Sequence, residues 1–409
     1  MKILFLLTQD LESPGGVGRY FPLAQGLAHL GHEVSIAALH SNYSSLSRKH
    51  YIQDGIDIDY VAQMHVLKQN NRKSYFPFPR LIEVTTHATI ELVKRAWNSN
   101  ADVIQLGKPH PMNGIAGLIV RFTRGKLVFL DCDDFETTNN RFSGAWQKVG
   151  VRFFETVIPR HVDYISTHNN FLRDYILKLG VNPNKIIYLP NGADFNRFAN
   201  IDTSKVENIR ADLGLEGKKV VVFIGSLSLP SHPIDILLDA FQLVHSTQPQ
   251  TMLLVVGGGE QYDQLVARTR WLGLEQAVIF RGRVPGSEVP LYYKLADVSA
   301  EPVIDNPIGK SMLPLKLFES WVAGVPFVTQ DVGDRRMILG DPPAGLITRA
   351  GDPNSLSQGI IRVLADRDLA EELRKRGFER AKMYSWENLA RQMEAIYLKA
   401  ISEKNVGTR

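Results

Sequence analysis

Lys316 and Glu319 place a cation and a carboxylate within one helical turn in the stretch 311–326, SMLPLKLFESWVAGVP. A carboxylate that accepts two hydrogen bonds suits a cis-diol, and an ammonium suits a phosphate. Ser311 reads as a helix cap, Pro314 as a first-turn residue, and Gly324 with Pro326 as the stop, which predicts a short helix over 312–323. Leu315, Phe318 and Val322 recur at three- and four-residue spacing as its buried stripe, with Lys316 and Glu319 on another face. The N–H groups at the start of such a helix attract an anion. Glu319 lies eight residues past the cap, roughly 12 Å at 1.5 Å per residue. That length matches a diphosphate followed by a ribose, so Lys316 is expected at the phosphate and Glu319 at the ribose hydroxyls. A solvated ion pair with no ligand is the plain alternative.

Further candidates require a scaffold, and the first half supplies one. KILFLLT reads as a buried parallel strand, the loop QDLESPGGVGRY follows, Leu23, Leu27 and Leu30 mark a helix ending at Gly31, and GHEVSIAAL makes a second strand. In this βαβ unit Gly15 and Gly16 let backbone N–H groups approach a bound group. The third glycine of the dinucleotide fingerprint is Phe21 here, which argues against a nicotinamide cofactor. Residues 101–106 and 126–131 read as strands that end in GKPHPMNG, with Lys108 and His110, and in LDCDDFE, with Asp131, Asp133 and Asp134. Ligands of open α/β sheets bind beyond the carboxyl ends of the strands, so His110 and Asp133 are the candidates for contacting an acceptor. No accompanying ligand pattern joins these aspartates, so no metal is expected.

Residues 56–61 alternate like an edge strand. The stretch 64–81 then interleaves Lys68, Arg72, Lys73 and Arg80 with Tyr75, Phe76 and Phe78, and its prolines argue against regular structure. Such a segment suits an anionic membrane surface, and equally an ordinary solvated loop whose aromatics fold under it. Its basic residues are neither numerous nor laid along a helix, which argues against nucleic acid.

The chain has 409 residues and a net charge of +4. Residues 1–200 hold 22 Lys and Arg against 17 Asp and Glu, a balance of +5, and the remainder holds 25 against 26, or −1. This length implies two domains, and the basicity belongs to the first. With a single cysteine, Cys132, no intrachain disulfide forms, and a reducing cytoplasm is expected. No apolar run approaches the length of a membrane span. The turn at Asn191-Gly192 and the polar stretch 199–207 suggest domains over 1–200 and 201–386, with a last helix, 387–409, crossing back to the first. In the second half, strands at 219–224, 252–256 and 278–280 alternate with helices at 234–245 and 261–272, again a doubly wound pattern. Gly225-Ser226, Gly257-Gly258-Gly259 and Gly282-Arg283-Val284 each follow a strand and offer bare backbone.

With PGGVGRY, LAxxLxxxGHEV, PNGADFNRF, GGGEQ, FRGRV, KLFESWVAGVPFVT and YSWENLA in that order, the chain resembles the retaining nucleotide-sugar glycosyltransferases of the family-four type. The resemblance covers essentially the whole chain. It implies the α/β GT-B fold, two doubly wound Rossmann-like domains facing across a cleft, and transfer of a glycosyl group from a nucleoside-diphosphate sugar to an acceptor. No cofactor or metal is implied beyond the donor. Glu319 corresponds to the ribose-holding second glutamate of a Glu-x7-Glu motif, the backbone at Arg283 and Val284 to the base contact, and Gly15 with Gly16 to a loop facing the phosphates. Gly225, Gly258 and Leu315 join the implied donor site. Ser311 stands where the first glutamate would be, and Ser226 and His232 align with the arginine and lysine that neutralise the leaving diphosphate. Lys316, with Arg19, is expected to take over that charge. The implied acceptor is a glycan or a lipid-linked precursor of a cell-surface polysaccharide, met at the cytoplasmic face of the plasma membrane. A nucleotide-sugar-binding protein without transfer activity, and an epimerase of the same fold, are the alternatives.

Overall fold

The computed structural model describes residues 1–13, 15–69, 72–139, 142 and 144–407. The chain divides into two compact units, residues 1–190 with 386–409, and residues 191–385. The first carries, in chain order, β1 (Lys2–Leu7), β2 (Glu33–His40), β3 (His50–Gln53), β4 (Ile56–Gln63), the hairpin β5 (Val66–Gln69) and β6 (Arg72–Tyr75), then β7 (Val103–Gly107), β8 (Leu127–Cys132), β9 (Tyr164–Thr167) and β10 (Ile186–Tyr188). Its main sheet runs β10-β9-β8-β7-β1-β2-β4-β3, parallel except for β3 against β4. Strand β1 is apolar on both faces because both are covered. Ile3, Phe5 and Leu7 point into a cluster with the helix Phe21–His29 and the terminal helix Trp386–Gly407, whereas Leu4 and Leu6 join Ala88, Leu92 and Ala116 of the helices Phe78–Trp97 and Pro111–Arg124. Tyr397 of the terminal helix donates its hydroxyl to Gln105 Oε1 on β7 at 2.7 Å.

The second unit has β11 (Lys219–Ile224), β12 (Thr251–Val256), β13 (Val278–Gly282), β14 (Val298–Glu301), β15 (Phe327–Gln330) and β16 (Leu346–Thr348) in one parallel sheet ordered β13-β12-β11-β14-β15-β16. Val220, Val222 and Ile224 face one cluster and Val221 and Phe223 the other, the same two-sided burial. Each unit is thus a doubly wound Rossmann-like sheet.

Several expectations change. The alternating strand at 56–63 is not the edge, because β3 pairs outside it. The stretch after it is regular, a hairpin followed by a helix whose first turn accepts Pro79. No linker occupies 199–207: Asp202 caps a helix, Thr203–Asp212, by accepting from the N–H groups of Ser204 and Lys205. The first unit ends at Pro190, ten residues before the expected limit of 200.

The glycines after β11 and β12 are spent on one another. Gly257 sits at φ +143°, where a Cβ would stand 1.8 Å from the Gly225 carbonyl oxygen. Gly257→Ala is therefore expected to destabilise the second unit by more than about 3 kcal/mol. Gly273→Ala, at φ +71° with open space around it, should cost only about 1 kcal/mol. Urea unfolding of both variants checks the contrast.

Candidate functional site

In each sheet the strand order reverses at one point, between β1 and β7 and between β11 and β14. Loops leave that point in opposite directions and open a crevice at the carboxyl ends. Both clusters of chemically capable side chains stand there.

In the second unit Glu301 ends β14 and is fully buried. It accepts from Arg335 Nε at 3.0 Å and Nη2 at 3.3 Å, and from Thr329 Oγ1 at 3.0 Å. Lys316 Nζ lies 3.7 Å from the same carboxylate. Arg335 is itself completely enclosed, with Nη1 donating to the carbonyls of Gly309, Met312 and Val332. Two cations thus share one carboxylate. Burial alone would raise the Glu301 carboxyl, but Arg335 and Lys316 hold it below its ordinary value. Burial pushes the Lys316 ammonium below its own, against the pull of Glu301. Lys316 runs beside Gly225, where a Cβ would stand 3.3 Å from its Cε, and over the Phe223 ring at 5.0 Å. His232 Nδ1 is 3.4 Å from Lys316 Nζ, and burial, then Lys316 and Arg335, hold this imidazole well below its usual range. A neutral His232 can only accept from the ammonium.

The helix carrying Lys316 runs Leu315–Ala323, three residues later than expected, with Pro314 at its cap. Ser311 is not the cap: it is buried at the end of the helix Pro307–Lys310, and its hydroxyl donates to the Ile308 carbonyl at 2.9 Å. Glu319 is then five residues past the cap, roughly 7.5 Å along the axis. Leu315 does not belong to the buried stripe. Leu315 and Glu319 are the two residues of this helix that keep partial exposure, and at a spacing of four they share a face. Glu319 Oε1 accepts from Arg197 Nη1 at 2.5 Å and Oε2 from the Tyr293 hydroxyl at 3.2 Å. Arg197 also donates to the Gly286 carbonyl, at 2.7 Å through Nη2. Lys316 and Glu319 therefore serve different partners. Ser226 is exposed, Val284 packs against the apolar cluster beneath the site, and the exposed Arg283 lies where a Cβ on Gly258 would meet its Cγ at 2.9 Å.

Sequence reasoning missed Glu301, Arg335, Arg197 and Tyr293. Glu301 carried the signal used for Asp133, a carboxylate at a strand end, and Arg197 lies inside the PNGADFNRF turn. Nothing in the spacing marks Arg335 or Tyr293.

In the first unit Thr8, Lys108 and Asp133 follow the adjacent strands β1, β7 and β8. His110 bridges two of these loops, Nδ1 2.6 Å from Thr8 Oγ1 and Nε2 3.0 Å from Glu136 Oε2. Lys108 is held at φ +67° and points its ammonium among Asp133 (3.5 Å), Glu136 (3.1 Å) and Asp134. A lysine cation thus already sits among the three carboxylates. Asp133 Oδ1 is buried without a hydrogen-bond partner. Burial lifts its carboxyl, Lys108 opposes, and Asp134 and Asp131 add, to about 7. Arg19 is no candidate for a diphosphate: it is buried, paired with Asp131 at 2.7 Å through both Nε and Nη2, and bonded to the carbonyls of Leu189 and Pro190. Gly15 and Gly16 open the following turn of helix. A Cβ on Gly16 would meet the Asp10 carbonyl at 2.3 Å, so its bareness serves the loop's own packing.

Residues 14–197 match the model described as Glycosyltransferase Family 4, and residues 205–380 the model described as Glycosyl transferases group 1. A phosphatidyl-myo-inositol mannosyltransferase of Mycobacterium leprae is 30% identical over 44% of this chain and 46% of its own. The chain spans about half the length of the curated relatives it matches. Sucrose-phosphate synthase from Thermosynechococcus elongatus superposes with a TM-score of 0.77 at 17% identity, covering 98% of this chain and 99% of the other. Anabaena Alr3699/HepE in complex with UDP and glucose does so with 0.74 at 18%, covering 98% and 100%. These likenesses show the fold.

The raised Asp133 carboxyl has a sign that can be checked. The fold prefers its protonated form, so the penalty is absent below the unfolded value near 4 and complete above about 7. Asp133→Asn is therefore expected to be more stable than the parent at pH 8 and to lose that advantage by about pH 4. Denaturant midpoints across this range test it, with Glu155, also lifted to about 7 by burial, as a common background in both proteins.

Proposed function

Because this chain belongs to the family-four type glycosyltransferases with the GT-B fold, we propose that it moves a glycosyl group from a nucleoside-diphosphate sugar to an acceptor with retained anomeric configuration. One observation carries the reading: the buried Lys316–Arg335–Glu301 cluster holds one positive charge more than its carboxylate balances, beside the bare Gly225 backbone at the strand-order reversal. An unbalanced buried cation is costly until an anion joins it, and a diphosphate supplies that anion. As the bond from the anomeric carbon to the diphosphate oxygen breaks, negative charge grows on the diphosphate, and Lys316 stabilises it without reorganisation. Glu319 keeps lone pairs beyond those used by Arg197 and Tyr293, and these accept from the ribose hydroxyls. His110 and Asp133 position the acceptor in the first unit. The acceptor in this reading is a lipid-linked or polysaccharide precursor met at the cytoplasmic membrane face, and the relative named for phosphatidyl-myo-inositol supports its lipid part.

A second reading, a nucleotide-sugar-binding protein without transfer, draws on one feature: the neutral His232 and exposed Ser226 leave Lys316 the one cation facing Gly225 among the described residues. Incubation with a panel of radiolabelled nucleotide sugars and a membrane lipid extract separates the two. Label in the lipid phase supports transfer, whereas saturable binding without turnover supports the second reading.

Lys316→Met is expected to weaken nucleoside-diphosphate binding by about 2 kcal/mol, the loss of a charge-assisted contact, as read by calorimetry. Glu319→Ala should abolish the preference for a ribonucleoside diphosphate over its 2′-deoxy counterpart, and a preference that survives would remove Glu319 from the ribose.

A further inference from the structure

The cations of the stretch at 64–81 are committed within the fold. Lys68 Nζ lies 3.0 and 2.8 Å from the carboxylate oxygens of Asp10, Arg80 is paired with Glu83, and the side chains of Arg72 and Lys73 lie outside the described residues. A group of side chains with no role in the proposed transfer stands instead on the second unit. There a groove of about 260 Å³ opens between the helices Ile234–Thr247 and Tyr262–Trp271. That is below the roughly 300–1,000 Å³ of pockets for drug-sized ligands and suits a single six-membered ring. None of its lining residues takes part in the Lys316 or Glu319 contacts.

At 100° per residue, Gln264, Arg268 and Trp271 fall within about 60° of one another, so one face of the helix Tyr262–Trp271 gives the groove its polar and aromatic wall. Leu229 and the buried Leu265 add apolar lining. Trp271 is 78% exposed, the most of any large apolar side chain among the described residues. Arg268 steadies it without covering it: Cζ lies 5.7 Å from the indole centroid, while Nε and Nη2 bond to Asp239 on the other helix and leave Nη1. Asp235, in the first turn of that other helix, lines the groove too, and its Oδ1 is enclosed with no hydrogen-bond partner. An enclosed acceptor without a donor is costly, and a donor bound beside this carboxylate offsets the cost.

The charges of the groove decide what fits. A cationic ligand would satisfy Asp235 but meet the Arg268 guanidinium, and an anionic one would do the reverse. A sugar hydroxyl both donates and accepts. A neutral polyol therefore serves the carboxylate, the guanidinium and the Gln264 amide together, while the C–H face of its ring packs on the indole. We propose that this groove binds one hexose unit of a glycan chain, stacked on Trp271, donating to Asp235 and accepting from Arg268 Nη1. It is a saccharide site apart from the donor and acceptor groups of the proposed transfer, and it stands whether or not that reaction occurs.

Calorimetric titration of the full chain with maltohexaose, cellopentaose and mannohexaose, without nucleotide, tests it. At least one of these should bind saturably in the millimolar range, with little dependence on salt because no net charge is paired. Trp271→Ala and, separately, Asp235→Asn should each weaken that binding on the order of tenfold. Both variants should keep the parent's thermal midpoint and its nucleoside-diphosphate affinity, which shows that they are folded and that the groove is separate from the Lys316 site. Absence of saturable binding by all three sugars overturns the proposal and leaves the transfer reading standing. Equal binding by parent and variants also overturns it, placing the sugar elsewhere. So does a lysine hexapeptide that binds more tightly than any of the sugars and is lost in Asp235→Asn, which would assign the groove to a cationic partner.

Discussion

A single carboxylate shared by two enclosed cations sets the character of the second unit. Glu301 can be ionised in the sheet core only because Arg335 donates to both of its oxygens, and Arg335 can be buried only because its remaining donors reach main-chain carbonyls. Lys316 is the surplus. Its stem lies between the Phe223 ring and the Gly225 backbone, and its ammonium is the part of the cluster without a counter-charge of its own. The glycine-rich loops follow from the same economy of space. They are bare because they press on each other, which leaves the lysine a narrow, fixed position beneath them.

The first unit solves the corresponding problem in two opposite ways side by side. Arg19 and Asp131 form a closed pair, each satisfied by neighbours and sealed by Ser166 and two carbonyls. Two residues on, Asp133 is held in a low-dielectric setting with an oxygen that has no hydrogen-bond partner. The Arg19–Asp131 pair is a structural fastening, whereas Asp133 keeps an acceptor oxygen that no hydrogen bond uses. Lys108, in a left-handed conformation rare for a residue with a side chain, is what aims a cation into the acidic group between them.

Both sheets were legible in the sequence because buried parallel strands are written as apolar runs bounded by glycine or polar residues; the strand expected at 219–224 matches β11 residue for residue. The helix Phe78–Trp97 was not legible. Its buried positions, Val84, Ala88, Leu92 and Ala96, are spaced by four but two of them are alanines, and prolines 77 and 79 read as breakers although one precedes the helix and the other sits in its first turn. Ser311 misled for a related reason: spacing shows that a helix begins nearby, but serine and proline are both acceptable at its start, and tertiary packing decided for Pro314. Lys316, Glu319, His110 and Asp133 could be picked out by type and position. Their partners could not, because Glu301, Tyr293, Arg197 and Thr8 reach them across sequence separations that no local pattern records.

The terminal helix has a consequence for how the protein is made. Leu389, Met393 and Tyr397 complete a core whose other members include Phe5 and Phe129. On a ribosome adding about 5–20 residues per second, roughly ten to forty seconds separate the emergence of Pro190 from that of Trp386. Through that interval the helix Phe21–His29 is the part of the cover on that face of the amino-terminal sheet already made, and the unit encoded between its two parts is complete before the terminal helix emerges. The half of the molecule that is translated first is therefore the half that matures last.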